Sequence, residues 1–141
     1  VLRRSARRDD LQRLAAMVTA AVALGNLDMH TKNIGLLHSA DGRVSLAPAY
    51  DFVPQAHMPN DGRLALAVNG KYRLAEITAE DLLAEFASWQ LRRPEPTVTD
   101  TLRGLATAVG SVQPLAGAYP GLQDQIGGII DNLSGGRPVN R

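Results

Sequence analysis

The feature that most constrains the fold is a largely apolar helix that ends directly before a dense polar segment. Residues 11–24 repeat leucine, alanine and valine at helical spacing, and Asp9 and Asp10 can cap the start of this helix. Gly25 and Asn26 follow, and both residue types tolerate the left-handed conformation that ends helices. We therefore expect a buried helix that presents the next segment on a rigid base, where catalytic groups commonly lie.

The polar segment, residues 26–33, reads N-x-D-x-H-x-K-N. Asp28 and Asn33 are five positions apart, which is the Asp-to-Asn spacing of the protein-kinase catalytic loop. Phosphoryl transfer needs a carboxylate that takes the proton of the attacking hydroxyl, and Asp28 suits this role. Lys32 could supply a cation that offsets charge on the transferred group. His30 could orient the loop by hydrogen bonding or act directly in catalysis.

A second carboxylate, Asp51, follows Asn33 by 18 residues, and a predicted hairpin separates the two. Residues 34–38 and 43–47 are short apolar runs on either side of an Asp-Gly turn, which is a strong hairpin signal. A hairpin folds the chain back, so Asp51 should return toward Asn33 and Asp28. Asn33 and Asp51 would then offer the oxygen ligands that magnesium prefers.

The rest of the sequence predicts a mainly α domain with one or two short β-hairpins around the catalytic loop. Periodicity, turn residues and capping signals predict four further elements: a hairpin at 64–74, and helices from Thr78 to about Leu91, at 97–115 and at 122–133. Pro94 and Pro96 are expected to break the chain between helices. We interpret residues 1–141 as one domain, with 134–141 as a disordered tail.

The charge balance narrows the classes of partner. The chain has 15 basic and 14 acidic residues and a net charge of +1, so charge alone gives no reason to expect binding to nucleic acid or an anionic membrane. A local basic cluster comprises Arg3, Arg4, Arg7 and Arg8. A solvated helix face explains this cluster better than phosphate contact does.

The sequence also limits which metal sites and membrane-spanning segments the chain could contain. The chain has no cysteine, which excludes disulfides and thiolate metal sites. His30, His38 and His57 match no zinc-ligand spacing, so we expect no histidine metal site. No run approaches the ~18 apolar residues that a membrane span requires, and a cytoplasmic protein is expected.

Taken together, the segments resemble the C-terminal lobe of HipA-type toxin kinases, the serine/threonine kinases of bacterial toxin–antitoxin pairs. The resemblance rests on Gly25–Asn33, Ile34–Leu37 and Leu46–Asp51, and less specifically on Leu64–Asn69 and the helices that follow. It implies a protein kinase that depends on ATP and Mg²⁺ and has a helical C-lobe. By this analogy Asp28 is the catalytic base, and Asn33 and Asp51 hold the Mg²⁺ of the bound nucleotide.

The resemblance also implies partners. Family members phosphorylate aminoacyl-tRNA synthetases and are held inactive by a DNA-binding antitoxin of the helix-turn-helix type.

The sequence departs from that of ordinary protein kinases in several places. In this chain His30 follows Asp28 instead of preceding it, and Val53 stands where a D-F-G motif has glycine. We find no upstream β-lobe, glycine-rich loop or strand lysine. We therefore expect half of a kinase, without its N-terminal lobe.

Three functions follow from these observations. The first is the catalytic lobe of a serine/threonine kinase. The second is a catalytically inactive remnant that only binds a partner such as an antitoxin. The third is a metal-dependent phosphohydrolase that uses Asp28, Asn33 and Asp51 around two ions. A C-lobe separated from its partner lobe should expose apolar surface, so self-association or marginal stability is expected.

Overall fold

The computed structural model describes residues 8–140, and within this range the fold is mainly helical with two small antiparallel hairpins, which confirms the predicted fold class. The helices are α1 (Arg8–Leu24), α2 (Ala79–Ser88), α3 (Pro94–Ser111) and α4 (Leu122–Ser134). The strands are β1 (Leu36–His38), β2 (Val44–Leu46), β3 (Arg63–Val68) and β4 (Lys71–Arg73). Short 3₁₀ turns lie at Thr31–Asn33 and Leu74–Glu76. The basic cluster of Arg3, Arg4, Arg7 and the Arg8 side chain lies outside the described residues.

Helix α1 holds the domain together because it is buried on two faces. One face packs against α3 and α4 in the main core. The other face contributes Leu14, Met17 and Ala21 to a second cluster that includes Met29 and Leu46. The second cluster therefore fixes the end of α1, the polar segment and the first hairpin relative to one another.

Both predicted hairpins are present. In the first, β1 pairs with β2 in the register Leu36↔Leu46 and His38↔Val44. The second turns at Asn69-Gly70, where both residues have positive φ (50° and 75°) as two-residue hairpin turns require. The hairpins lie in separate two-stranded sheets. A backbone hydrogen bond from Ala65 to the carbonyl of Leu27 (2.8 Å) ties β3 to the polar segment.

Helix α2 starts as predicted and ends earlier. Thr78 and Asp81 form the capping box, each side chain bonding the other's backbone. Phe86 is fully buried, whereas Trp89 is half-buried and donates its indole N–H to Glu85 (2.9 Å). The helix stops at Ser88 instead of near Leu91, because the chain turns into a left-handed residue at Gln90 (φ 64°).

Helix α3 begins three residues before the predicted start at 97. Pro94 occupies the first helical position, where the missing N–H has no intrahelical partner to lose, so it begins the helix. Pro96 lies in the same first turn. The helix ends at Ser111 instead of residue 115, and the loop after it exposes Leu115 at 86%. Exposure of an apolar lobe-facing surface and self-association both stay predictions.

The segment after α4 packs on the domain up to Asn140, in contrast to the expected disordered tail. Val139 is 1% exposed and belongs to the main core. Its N–H donates to the Ile77 carbonyl (2.9 Å), and its own carbonyl accepts from the Asn132 side chain (3.0 Å). Burial of this valine anchors the segment, which a local sequence pattern rich in glycine and proline did not indicate.

Candidate active site

In the polar segment that follows α1, apolar and polar residues lie on opposite sides of the chain. Leu27 and Met29 are buried in the two core clusters, whereas Asp28 between them is exposed. The 3₁₀ turn that follows exposes Lys32 and buries Asn33 (5% exposed). The segment therefore presents a carboxylate and an ammonium group to solvent while holding an amide inside.

The Asn33 side chain joins the two parts of the site that the sequence separates. Its Nδ2 donates to the main-chain oxygen of Asp28 at 3.1 Å and to Oδ2 of Asp51 at 3.3 Å. The structure thus brings Asp51 back to Asn33 and to the backbone of Asp28, as the hairpin argument expected. Both acidic residues are exposed, so their carboxylates face solvent around a buried amide.

Three further contacts hold the segment around Asp51 against the polar segment. Asn26 donates its Nδ2 to the Asp51 carbonyl (3.3 Å), and the Gln55 side chain accepts the Leu27 N–H (2.9 Å). The Tyr50 hydroxyl donates to the Lys32 carbonyl (2.6 Å). Sequence reasoning treated Asn26 as a helix stop. It gave Gln55 no role, because none of these contacts leaves a local pattern.

Asp51 has a backbone conformation that side-chain-bearing residues rarely adopt. Its φ is 58°, in the left-handed region, which aspartate tolerates better than most residues because of its short polar side chain. Such residues persist when their surroundings hold them in place, and they cluster at functional sites. The contacts to Asn26 and Asn33 are the surroundings that hold Asp51.

Comparison with protein-family models matches residues 1–112 of the 141 to the HipA-like C-terminal domain. The chain belongs to this family. The match covers the polar segment, both hairpins and α1 to α3, and it stops before α4. No curated protein matches the chain.

Two other predicted site residues of this HipA-like domain, His30 and Lys32, and its two remaining histidines can now be placed. His30 is half-buried, and its Nδ1 is enclosed without a hydrogen-bond partner in the described part of the chain. Lys32 makes no side-chain ion pair among residues 8–140. His38 lies at the exposed end of β1, and His57 stacks on Tyr119 with ring centroids 4.7 Å apart. The catalytic roles of His30 and Lys32 stay predictions.

The donor set of the HipA-like domain fits Mg²⁺ chemically. Asp51 supplies carboxylate oxygens, and Asn33 Oδ1 accepts no hydrogen bond from the described residues. Magnesium is typically held by one or two carboxylates together with substrate phosphates and water. No group of three or more histidine, cysteine or acidic side chains in residues 8–140 could form a metal cage of protein ligands alone. The magnesium site at Asn33 and Asp51 therefore stays a prediction.

Among the described residues, none of the helices combines the length and the hydropathy needed to cross a bilayer.

Proposed function

We propose that this HipA-like domain is the C-terminal lobe of a toxin-type serine/threonine protein kinase, which transfers the γ-phosphate of ATP to a protein hydroxyl. One observation carries the proposal: the Asn33 amide bridges the backbone of Asp28 and the carboxylate of Asp51. The family and the Asp-to-Asn spacing support the same reaction class.

Each side chain has a role that its environment permits. The exposed Asp28 carboxylate takes the proton of the acceptor hydroxyl as the hydroxyl oxygen bonds the γ-phosphorus and the bridging P–O bond to ADP breaks. Asp51 and Asn33 would hold Mg²⁺, which when bound offsets phosphate charge. Lys32 is exposed and unpaired within the described residues, so its ammonium group can approach the transferred phosphoryl group. The His30 backbone holds the loop between Asp28 and Asn33, because its N–H donates to the Asp28 carbonyl and its carbonyl accepts the Asn33 N–H.

The remaining parts of the kinase must come from elsewhere. These 141 residues hold no glycine-rich phosphate loop, and the lysine at the start of β4, Lys71, is paired with Asp81. The proposal therefore assigns ATP binding to a second lobe, on the same polypeptide or on another chain. By family analogy, the acceptor protein would be an aminoacyl-tRNA synthetase in the cytoplasm, and a helix-turn-helix antitoxin would inhibit transfer.

Phosphotransfer from labelled ATP tests the proposal, using the domain joined to a HipA-type N-terminal lobe. Asp28→Asn and Asp51→Asn should each lower the rate by roughly 10²–10⁴-fold, the range expected when a general base or charge-stabilising group is lost. Asp100→Asn is the control, because Asp100 is an exposed α3 residue whose ion pair with Arg103 lies at the surface. It should transfer phosphate at the wild-type rate.

The same assay separates the other two functions. Undiminished transfer by both Asp28 and Asp51 variants would refute the kinase proposal. A wild-type protein that never transfers phosphate but binds an antitoxin would identify a remnant. Release of phosphate from simple esters without nucleotide would identify a phosphohydrolase.

A further inference from the structure

Asn26 lies where α1 ends and the candidate site begins, and it is almost completely buried (2% exposed). Its backbone N–H donates to the Ala21 carbonyl (2.8 Å), which closes the last turn of α1. The side chain therefore projects from a fixed point of the helix. A buried carboxamide needs partners for both its oxygen and its nitrogen, so the identity of those partners is informative.

The Asn26 side chain contacts the backbones of both acidic residues of the site. Its Oδ1 accepts the N–H of Asp28 at 2.9 Å, and its Nδ2 donates to the carbonyl of Asp51 at 3.3 Å. Asn33 makes the complementary pair of contacts, to the carbonyl of Asp28 and the carboxylate of Asp51. Two carboxamides thus link Asp28 to Asp51 from two sides.

We propose that Asn26 is a positioning residue that fixes the Asp51 carboxylate relative to Asp28, an inference that rests on the proposed phosphotransfer function. Asp51 has φ 58°, a conformation that persists only when its surroundings determine it. The Asn26 amide holds the carbonyl of Asp51, and the Asn33 amide holds its carboxylate. Without Asn26, Asp51 can relax to an ordinary backbone conformation, and its carboxylate then leaves Asn33.

Asn132 is the matched control for Asn26, because it makes similar contacts away from the candidate site. Like Asn26, it uses its Nδ2 to donate to a distant main-chain carbonyl, that of Val139 (3.0 Å), and its Oδ1 accepts from Arg137 (3.0 Å). It joins α4 to the C-terminal segment and touches no candidate site residue. Loss of either amide should lower stability, because each loss removes two hydrogen bonds and leaves at least one backbone group without its partner. Only loss of Asn26 should alter the site.

The experiment measures Mn²⁺ binding to the chain by calorimetry, since Mn²⁺ shares the oxygen-ligand preference of Mg²⁺. Asn26→Ala should weaken binding about 10- to 100-fold, as expected when a residue that orients a metal ligand is removed. Asn132→Ala should bind within about twofold of wild type, a negligible change on this scale. Asn26→Ser is the conservative variant, because serine can still accept the N–H two residues on but is too short to reach Asp51.

NMR supplies a readout that does not depend on the metal. In Asn26→Ala the side-chain amide signals of Asn33 should shift, because the bond to Asp51 loosens, and the Asp28 amide hydrogen should exchange faster. In Asn26→Ser the Asp28 amide should stay protected while the Asn33 signals shift and Mn²⁺ affinity stays low.

Different results would refute the positioning role of Asn26 and the metal site of the proposed function. Unchanged Asn33 amide signals in Asn26→Ala would overturn the positioning role of Asn26 whatever the metal result, as would wild-type Mn²⁺ affinity in Asn26→Ser. A wild-type chain that binds no Mn²⁺ would count against the metal site of the proposed function, while the NMR result would still decide the role of Asn26.

Discussion

Oδ2 of Asp51 lies 3.3 Å from Nδ2 of Asn33, although 18 positions separate the two residues in the chain. The first hairpin closes this distance, because its register pairs Leu36 with Leu46 and so returns the chain beside its own start. Burial of Leu46 in the cluster beside α1 then fixes the hairpin to the helix. The geometry of the candidate site is therefore set by core packing as well as by its own polar contacts.

Gly25 allows the polar segment and the segment after Asp51 to approach each other closely. A Cβ at this position would lie 2.7 Å from the Cβ of Ala56, and the Gly25 carbonyl accepts the N–H groups of Gln55 and Ala56. We expect Gly25→Ala to lower the free energy of unfolding by about 2–4 kcal/mol, combining left-handed strain with overpacking. Chemical denaturation followed by circular dichroism measures this change.

Gly62 is the matched control for Gly25, because its φ is +69° against +68° and no atom lies within 4 Å of its hypothetical Cβ. Gly62→Ala should lose only the ~1 kcal/mol of left-handed strain. Adding Ala56→Gly to Gly25→Ala should recover the overpacking part of the loss. Equal losses in Gly25→Ala and Gly62→Ala would contradict the close-approach explanation.

Tyr50 fastens the Asp51 segment to the 3₁₀ turn through its hydroxyl, which donates to the Lys32 carbonyl at 2.6 Å. Tyr50→Phe keeps the ring and removes this bond, so we expect about 1 kcal/mol lower stability and weaker Mn²⁺ binding. Tyr72→Phe is the control. Tyr72 has the same 45% exposure, and its hydroxyl bonds none of the described residues. If both variants behave alike in denaturation and calorimetry, the Tyr50 hydroxyl has no positioning effect.

The parts of the fold that follow local rules could be predicted from the sequence. The capping box at Thr78 and the Asn69-Gly70 turn are chemical signals that act within a few residues, and the structure has both. Pro94 was ambiguous, because proline breaks a helix interior but also starts helices. Val139 is a single apolar residue in a polar segment, so no periodicity could indicate that it enters the core.

The candidate site could be predicted only as far as its residues share a motif or a hairpin. Asp28 and Asn33 are recognisable by spacing, and the hairpin places Asp51 near them. The contacts of Asn26 and Gln55 depend on the path of an irregular segment after Asp51. An irregular segment has no periodic sequence pattern, so the contacts of Asn26 and Gln55 could be identified only from the structure.

Asp81 makes the stability of the domain depend on pH. Burial acts to raise the pKa of its carboxyl group, but hydrogen bonds from Lys71, Asn69 and Thr78 outweigh burial and lower the pKa to about 2. Because the pKa is lower in the folded state, the ionised Asp81 stabilises the fold at pH values above its unfolded pKa, near 3.8. This contribution to stability disappears as the pH falls through about 2. Asp81→Asn should thus lower stability by on the order of 2 kcal/mol at pH 7.

Urea denaturation from pH 7 down to pH 2 checks the Asp81 prediction. The difference between wild type and Asp81→Asn should shrink between about pH 4 and pH 2, because protonation of Asp81 removes the charge that the variant lacks. Asp100→Asn, at an exposed ion pair, should stay close to wild type at every pH. A pH-independent difference for Asp81→Asn would show that its carboxylate charge does not contribute.

Val139 anchors the segment after α4, and its replacement tests whether that segment is part of the folded domain. It is 1% exposed and bonds the backbone of Ile77, so Val139→Ala should lower the free energy of unfolding by roughly 1.5 kcal/mol or more through lost burial and a cavity. Val112→Ala makes the same chemical change at a position that is 60% exposed, and should change stability by less than about 0.5 kcal/mol. Thermal unfolding followed by calorimetry compares the two. If Val139→Ala unfolds like Val112→Ala, the segment does not hold the core, and a disordered tail describes it better.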